Sequence, residues 1–258
     1  MTFLMSKEHR GFIKGRNIKD CICLASEVVN VLDNKHKHGN LVLKVDIMKA
    51  FDTISWDFLL SVLNKFGFCR KFCDWMHTLL WSAYLSINFN DQQHGYFKCK
   101  RGVRQGDPLS PLLFCLAEDV LSRGISRIVS QGGLELIMPS RNNWVPSHIF
   151  YVDDTMIYYT GKPSNIQALK HIFQDYSVVS DRSFNLSKSF TYSGFISMSQ
   201  LDWVIANTSF SKGSLPFNYL GILIFKWRPK AIHLSLISDK ILARLSAFRQ
   251  IFIPILTV

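Results

Sequence analysis

Leu41-Val42-Leu43-Lys44-Val45-Asp46-Ile47-Met48-Lys49-Ala50-Phe51-Asp52 is the point where an apolar alternation runs into charge. Leu41, Leu43, Val45 and Ile47 alternate with Val42, Lys44 and Asp46. That is the period of a β-strand, and it leaves Asp46 on the opposite face near the strand's end. His148 to Val152 and Met156 to Tyr159 read as two further short strands, rich in aromatic and β-branched residues, with Asp153 and Asp154 between them at a hairpin tip. If these strands are neighbours in one sheet, three carboxylates share a small volume. Such a cluster repels itself unless cations neutralise it, and its hard oxygens suit Mg²⁺, which keeps some of its water and binds phosphates.

Outward from this stretch, Ser55 is placed to cap a helix that Gly67 ends, with Trp56, Leu59, Leu60, Leu63 and Phe66 along one face. Phe72, Trp75, Met76, Leu79 and Leu80 repeat the helical spacing. Leu85, Ile87 and Phe89 alternate into the turn formers Asn90 and Asp91, and Tyr96 to Lys98 returns as a hairpin. A further helix begins after Ser110, with Pro111 where a missing N–H costs nothing, and runs to about Val129. Ser164 is expected to cap another helix through Ile166, Leu169, Phe173 and Tyr176, and Phe217 to Phe225 reads as strand. The order suits an α+β fold with a ferredoxin-like βαββαβ core.

Composition agrees with a packed domain and points to an anionic partner. Of 258 residues 48% are hydrophobic, with twenty Phe and six Trp, and the formal charge is +11. The basic residues are spread along the chain, which favours nucleic acid first and a membrane surface second. Cys21, Cys23, Cys69, Cys73, Cys99 and Cys115 are scattered, so no disulfide-linked partner is expected, and Cys69 and Cys73 read as small buried apolar groups rather than as half of a zinc site. The longest apolar stretch, around Ile251 to Val258, is far short of the roughly 18 residues a bilayer span needs.

Three strings carry a family resemblance. Leu43 to Asp52 resembles motif A of reverse transcriptases encoded by non-LTR (LINE-type, plant-like) retrotransposons. Gly102-Val103-Arg104-Gln105-Gly106-Asp107-Pro108-Leu109-Ser110-Pro111-Leu112-Leu113-Phe114 resembles motif B, the most specific string in the chain. Phe150-Tyr151-Val152-Asp153-Asp154 resembles motif C, with valine where alanine is expected for plant LINEs. Gly11 to Arg16 and Ile18 to Glu27 are similar to the segment before motif A, Phe184 to Ser189 to motif D, and Phe217 to Gly221 to motif E. The resemblance implies a right-hand palm with partial fingers over residues 1–40, the palm over 41–225 and the start of a truncated thumb over 226–258.

It also implies RNA-directed DNA polymerisation with two Mg²⁺ ions, or Mn²⁺ in their place, on dNTPs, an RNA template and a DNA primer or target. Asp46, Asp153 and Asp154 would be the metal ligands, and Lys188 would protonate the leaving pyrophosphate. Phe51 would exclude a ribose 2′-hydroxyl, the alternative being a plain core phenylalanine. Gln105 and Gly106 would hold the incoming nucleotide and template base, with Arg104 either on a phosphate or simply solvated. Tyr219, Leu220 and Gly221 match a primer-grip turn, or form an ordinary hairpin. Lys240 and Arg244, beside the apolar stripe Ile237, Ile241, Leu245 and Phe248, would contact the backbone of a template-primer duplex, or form a solvated basic face.

The same resemblance places Met1 inside continuous family sequence, as in a truncated element or a gene model cut from a longer one, and its target-primed reaction at chromosomal DNA would imply the nucleus. Two alternatives stay open: an inactive remnant that retains nucleic-acid binding, and a group II intron maturase-like reverse transcriptase.

Overall fold

A computed structural model describes residues 4–137, 145–228 and 231–252. The elements are α1 (Ile18–Val31), β1 (Asn40–Asp46), α2 (Trp56–Lys65), α3 (Arg70–Trp81), β2 (Tyr84–Phe89), β3 (Gln92–Lys98), α4 (Ser110–Ser130), β4 (His148–Tyr151), β5 (Asp154–Thr160), α5 (Pro163–Ser180), β6 (Phe190–Ser193), α6 (Met198–Thr208), β7 (Ser211–Lys212), β8 (Phe217–Tyr219), β9 (Ile222–Ile224) and α7 (Ala231–Phe252). The main sheet has the order β4-β5-β1-β6-β7. Its first four strands, with the helices between them, make the split βαββαβ arrangement expected from the element order.

Both faces of this sheet are packed, and that sets the limits of the site. Leu41, Leu43 and Val45 join Ile157 and Tyr159 in a core completed by α2, α4 and α5. Val42, on the other face, joins Met156 and Tyr158 in a second core closed by α1 and by the β8–β9 hairpin. The apolar/polar alternation of β1 is therefore real only at its far end, where Lys44 and Asp46 are half-buried while Val42 is sealed. The cover on that face stops short of the carboxylates.

Helix boundaries follow local chemistry in most places. Ser55 caps α2 by accepting from the Phe58 N–H, and Gly67 leaves the helix at φ 83°. In α3 the buried residues are Cys73, Met76 and Leu80, whereas Trp75 and Leu79 are exposed. The buried stripe is thus rotated from the one expected, because the helix is apolar on adjoining faces and packing against α2 chooses between them. Cys69 is exposed at the N-cap of α3 and only Cys73 is buried; all six cysteines are free thiols. Ser164 is not a cap: Lys162 is the N-cap residue of α5, and Pro163 opens the helix with its preset φ. Phe217 to Phe225 is a β8–β9 hairpin and not one strand, broken at Leu220 and Gly221, both at positive φ. The β2–β3 hairpin forms as expected but stands clear of the core, with Ile87, Phe89 and Tyr96 exposed.

The N-terminal segment lies along the outer edge of β4. The Phe150 N–H donates to the Glu8 carbonyl and the Arg10 N–H to the Phe150 carbonyl. Beneath it lies a buried polar group. His148 Nε2 is 2.8 Å from Ser122 Oγ and its Nδ1 2.8 Å from Ser147 Oγ, while His9 stacks on Phe150 with centroids 4.9 Å apart and lies 4.0 Å from Asp119. Burial lowers His9 to about 4 and His148 to about 3.

Both histidines are thus neutral in the fold at a pH where the unfolded chain takes up a proton, near 6.5. Below that pH the unfolded state binds more protons, so stability falls on acidification, by about 1.4 kcal/mol per pH unit for each histidine. Urea unfolding of the wild type is expected to show this loss between about pH 6.5 and 4. His9→Phe, which keeps the stack on Phe150, should remove about half the slope.

Candidate active site

The end of β1 and the β4–β5 turn meet because β1 pairs antiparallel with β5 in a register that sets Asp46 opposite Asp154. Tyr151 pairs with Asp154, so Val152 and Asp153 alone make the turn. Val152 adopts φ 57°, a conformation costly for a β-branched residue, and the strand pairing on either side holds it there. Gly11 fits against this turn because a Cβ at its position would lie 2.8 Å from Val152 Cγ2.

Asp46 is fixed through its own peptide. Its N–H donates to Ser189 Oγ at 3.1 Å, and its carbonyl accepts from the Asn185 N–H at 2.8 Å. The loop that follows β1 brings Phe51 to stack on Phe114 of α4, with centroids 4.2 Å apart and planes at 11°. The Phe51 carbonyl accepts from the Val103 N–H at 2.8 Å, and the Ile54 carbonyl from the Gly102 N–H at 2.8 Å. Gly102, at φ 86°, packs so closely that a Cβ would lie 2.7 Å from the Asp52 carbonyl oxygen. The Gln105 turn is thereby seated beside the Asp46 loop.

These contacts bring segments distant in sequence around one open cleft of about 410 Å³, lined by Asp46, Phe51, Gln105, Asp153 and Lys188 together with residues 47–50 and Asn185. Five of the expected site residues therefore share it. Asp154 sits alongside with its Oδ1 3.4 Å from Lys44 Nζ. Burial pushes its carboxyl up, Lys44 pulls it back, and Asp153 and Asp46 push it up again. Among the described residues no three Asp, Glu, His or Cys side chains stand close enough to enclose a metal ion by themselves. What the cleft offers is two carboxylates on an open surface with a third beside them.

The remaining expected residues lie elsewhere. Arg104 faces a neighbouring, largely apolar pocket with Asp52, Arg101 and Asp107, on the far side of the turn that carries Gln105. Gly106 is exposed at φ 94° in that turn. Tyr219 is fully buried in the second core, and Leu220 and Gly221 form the β8–β9 turn. Lys240 and Arg244 are exposed on α7, as are Ile241 and Leu245; the side chains of Ile237 and Phe248 lie outside the described residues. Lys44 and Asn185 carry no role in the sequence reading. The signal for Lys44 is its place two residues before Asp46 on the same face of β1.

Residues 2–224 match the family described as reverse transcriptase (RNA-dependent DNA polymerase). The Pol polyprotein of the type-2 retrotransposable element R2DM of Drosophila melanogaster is 29% identical over 185 residues, covering 70% of this chain and 16% of the relative. The COX1/OXI3 intron 2 protein of Saccharomyces cerevisiae, itself described as putative, is 32% identical over 90 residues, covering 35% of this chain and 10% of the relative. The chain thus spans a small part of these relatives' length. Among solved structures, an apo telomerase from Candida tropicalis shares the fold at a TM-score of 0.55, with 14% identity over 87% of this chain and 41% of that one. The family match spans the sheet, the cleft and every strand that frames them, and the chain belongs to the reverse transcriptase (RNA-dependent DNA polymerase) family.

Proposed function

We propose that this chain is the palm-containing part of a non-LTR retrotransposon reverse transcriptase, with partial fingers over 1–40, palm over 41–225 and the start of a thumb over 226–258. Its reaction would add dNTPs to a primer 3′-hydroxyl on an RNA template. The observation that carries this reading is the cleft that gathers Asp46, Asp153, Phe51, Gln105 and Lys188 from four separate stretches of chain.

Enzymes of this family use divalent metal ions, and the donor set here suits them. Asp46 and Asp153 would hold such an ion through hard carboxylate oxygens in an open cleft, a donor type that suits Mg²⁺. Asp154 would complete the set as the weaker third ligand. Bound Mg²⁺, or Mn²⁺, at such carboxylates supplies activation of a 3′-hydroxyl and charge stabilisation of the departing pyrophosphate.

The protein's own groups would do the rest. Lys188 Nζ, exposed at the rim, would give its proton to the pyrophosphate oxygen that leaves. The Phe51 ring, held flat on Phe114, would close the space a ribose 2′-hydroxyl needs. Gln105 would contact the incoming nucleotide, Gly106 would let the backbone approach the template base, and Arg104 would meet phosphate from its own side of the turn. Lys44 opposes the upward push of burial on the Asp154 carboxyl and would so favour the carboxylate form that a metal needs. Tyr219, Leu220 and Gly221 would support the primer, and Lys240 and Arg244 would contact the duplex backbone, giving salt-dependent affinity without sequence choice. The likeness to the yeast intron protein supports a second reading, a group II intron-type reverse transcriptase with the same chemistry and a structured intron RNA as template.

Primer extension on oligo(dT)-primed poly(rA) with dTTP and Mg²⁺ tests the activity. The wild type should extend, and Asp153→Ala/Asp154→Ala should lose at least about a hundredfold. A folded wild type that extends no primer would refute the polymerase reading in favour of an inactive remnant. For Lys44, the expected result is that Lys44→Met moves the Asp154 carboxyl titration upward in ¹³C NMR, because the pull of the ammonium is gone while burial remains. An unmoved titration would remove Lys44 from the site.

A further inference from the structure

We infer that Arg182, paired with Glu118, is a positioning residue for sugar discrimination: its guanidinium tethers the loop and the ring that set the place of Phe51. The inference rests on the reading of Phe51 given above and adds a residue outside the cleft.

Arg182 is 3% exposed and Glu118 fully buried. Arg182 Nη1 donates to Glu118 Oε1 and, at 2.8 Å, to the Tyr176 hydroxyl. Arg182 Nη2 donates to the Ala50 carbonyl oxygen at 2.7 Å. The guanidinium carbon also lies 5.4 Å from the centroid of Phe114, the ring on which Phe51 stacks. One planar fork thus reaches the peptide immediately before Phe51 and the surface beneath its ring, while the Val103 N–H holds the Phe51 carbonyl. Met48 and Lys49, which lead into this peptide, are exposed, and Lys49 sits at φ 45°.

A buried charge pair is a poor way to gain stability, since apolar groups of similar volume often serve as well or better. Here the pair has a directional use. Only a guanidinium offers several donors in a fixed plane, so one group can bond a carboxylate oxygen, a hydroxyl and a carbonyl together. Rejecting a single hydroxyl requires the excluding ring to keep its place closely, and small displacements of such groups are costly. Losing the tether would let the Ala50–Phe51 peptide shift and reopen room for the 2′-hydroxyl.

The variant to use is Arg182→Lys, which keeps a cation beside Glu118 but lacks the fork. Extension of oligo(dT) on poly(rA) is measured with dTTP and with UTP, and the ratio of the two kcat/KM values is compared. The ratio should fall about tenfold in Arg182→Lys, as in Phe51→Val, and should hold in Ile125→Val, a core change in the same helix as Glu118 that lowers stability without touching the tether. A fall in Phe51→Val with no fall in Arg182→Lys overturns the inference and leaves the Phe51 reading standing. No fall in Phe51→Val overturns that reading and the inference with it. A wild type that extends no primer overturns the polymerase reading and the inference with it.

Discussion

The pairing of β1 with β5 is the constraint on which the rest depends. Its register places Asp46 opposite Asp154, and a slip of one residue would turn every side chain of β1 to the other face. The carboxylates would not choose this register themselves. Their mutual repulsion, though, is about 1 kcal/mol for unit charges 4 Å apart in water, and both remain partly solvated. Each fully buried Leu or Val contributes about 1.5–3 kcal/mol, and Leu41, Val42, Leu43 and Val45 are all sealed. Packing therefore outweighs repulsion and determines where the charges meet.

The turn between β4 and β5 is held by the same logic. Val152 at positive φ would be unfavourable in an isolated hairpin, at a cost on the order of 1–3 kcal/mol. It is tolerated because the Tyr151–Asp154 pair closes the turn, the Val152 side chain packs on the main core, and the N-terminal segment adds two hydrogen bonds to Phe150. The fit of Gly11 against Val152 couples the start of the chain to the residue that precedes Asp153. The buried histidines stand behind this contact, so the N-terminal segment belongs mechanically to the motif it covers.

Much of this was legible in the sequence, for local reasons. Period-two alternation marked β1, aromatic and β-branched residues marked β4 and β5, and adjacent acids between two strands marked a hairpin tip. The face of α3 was not legible, because Phe72, Cys73, Trp75, Met76, Leu79 and Leu80 offer two stripes and only the packed neighbour selects one. Arg104 and Gln105 are adjacent, yet line different cavities on opposite sides of one turn. No spacing rule assigns sides in a turn as it does in a strand. The bond between Glu118 and Arg182 spans 64 residues and joins a helix to a loop, which no periodicity can foresee.

The open end of the sheet follows from what its two faces must do. One face is fully covered by α2, α4 and α5, which fixes the strands rigidly. The other is covered by α1 and the β8–β9 hairpin as far as Met156, one strand pair short of Asp46 and Asp154. Extending that cover over Lys44, Asp46 and Asp154 would strip water from two carboxylates and one ammonium, with several kcal/mol of desolvation to recover for each. Leaving the cover incomplete avoids that cost and leaves the acids accessible to solvent. The exposed site is thus positioned by groups that never reach it: the apolar residues of β1, the strained turn at Val152, and the Arg182 fork behind Phe51.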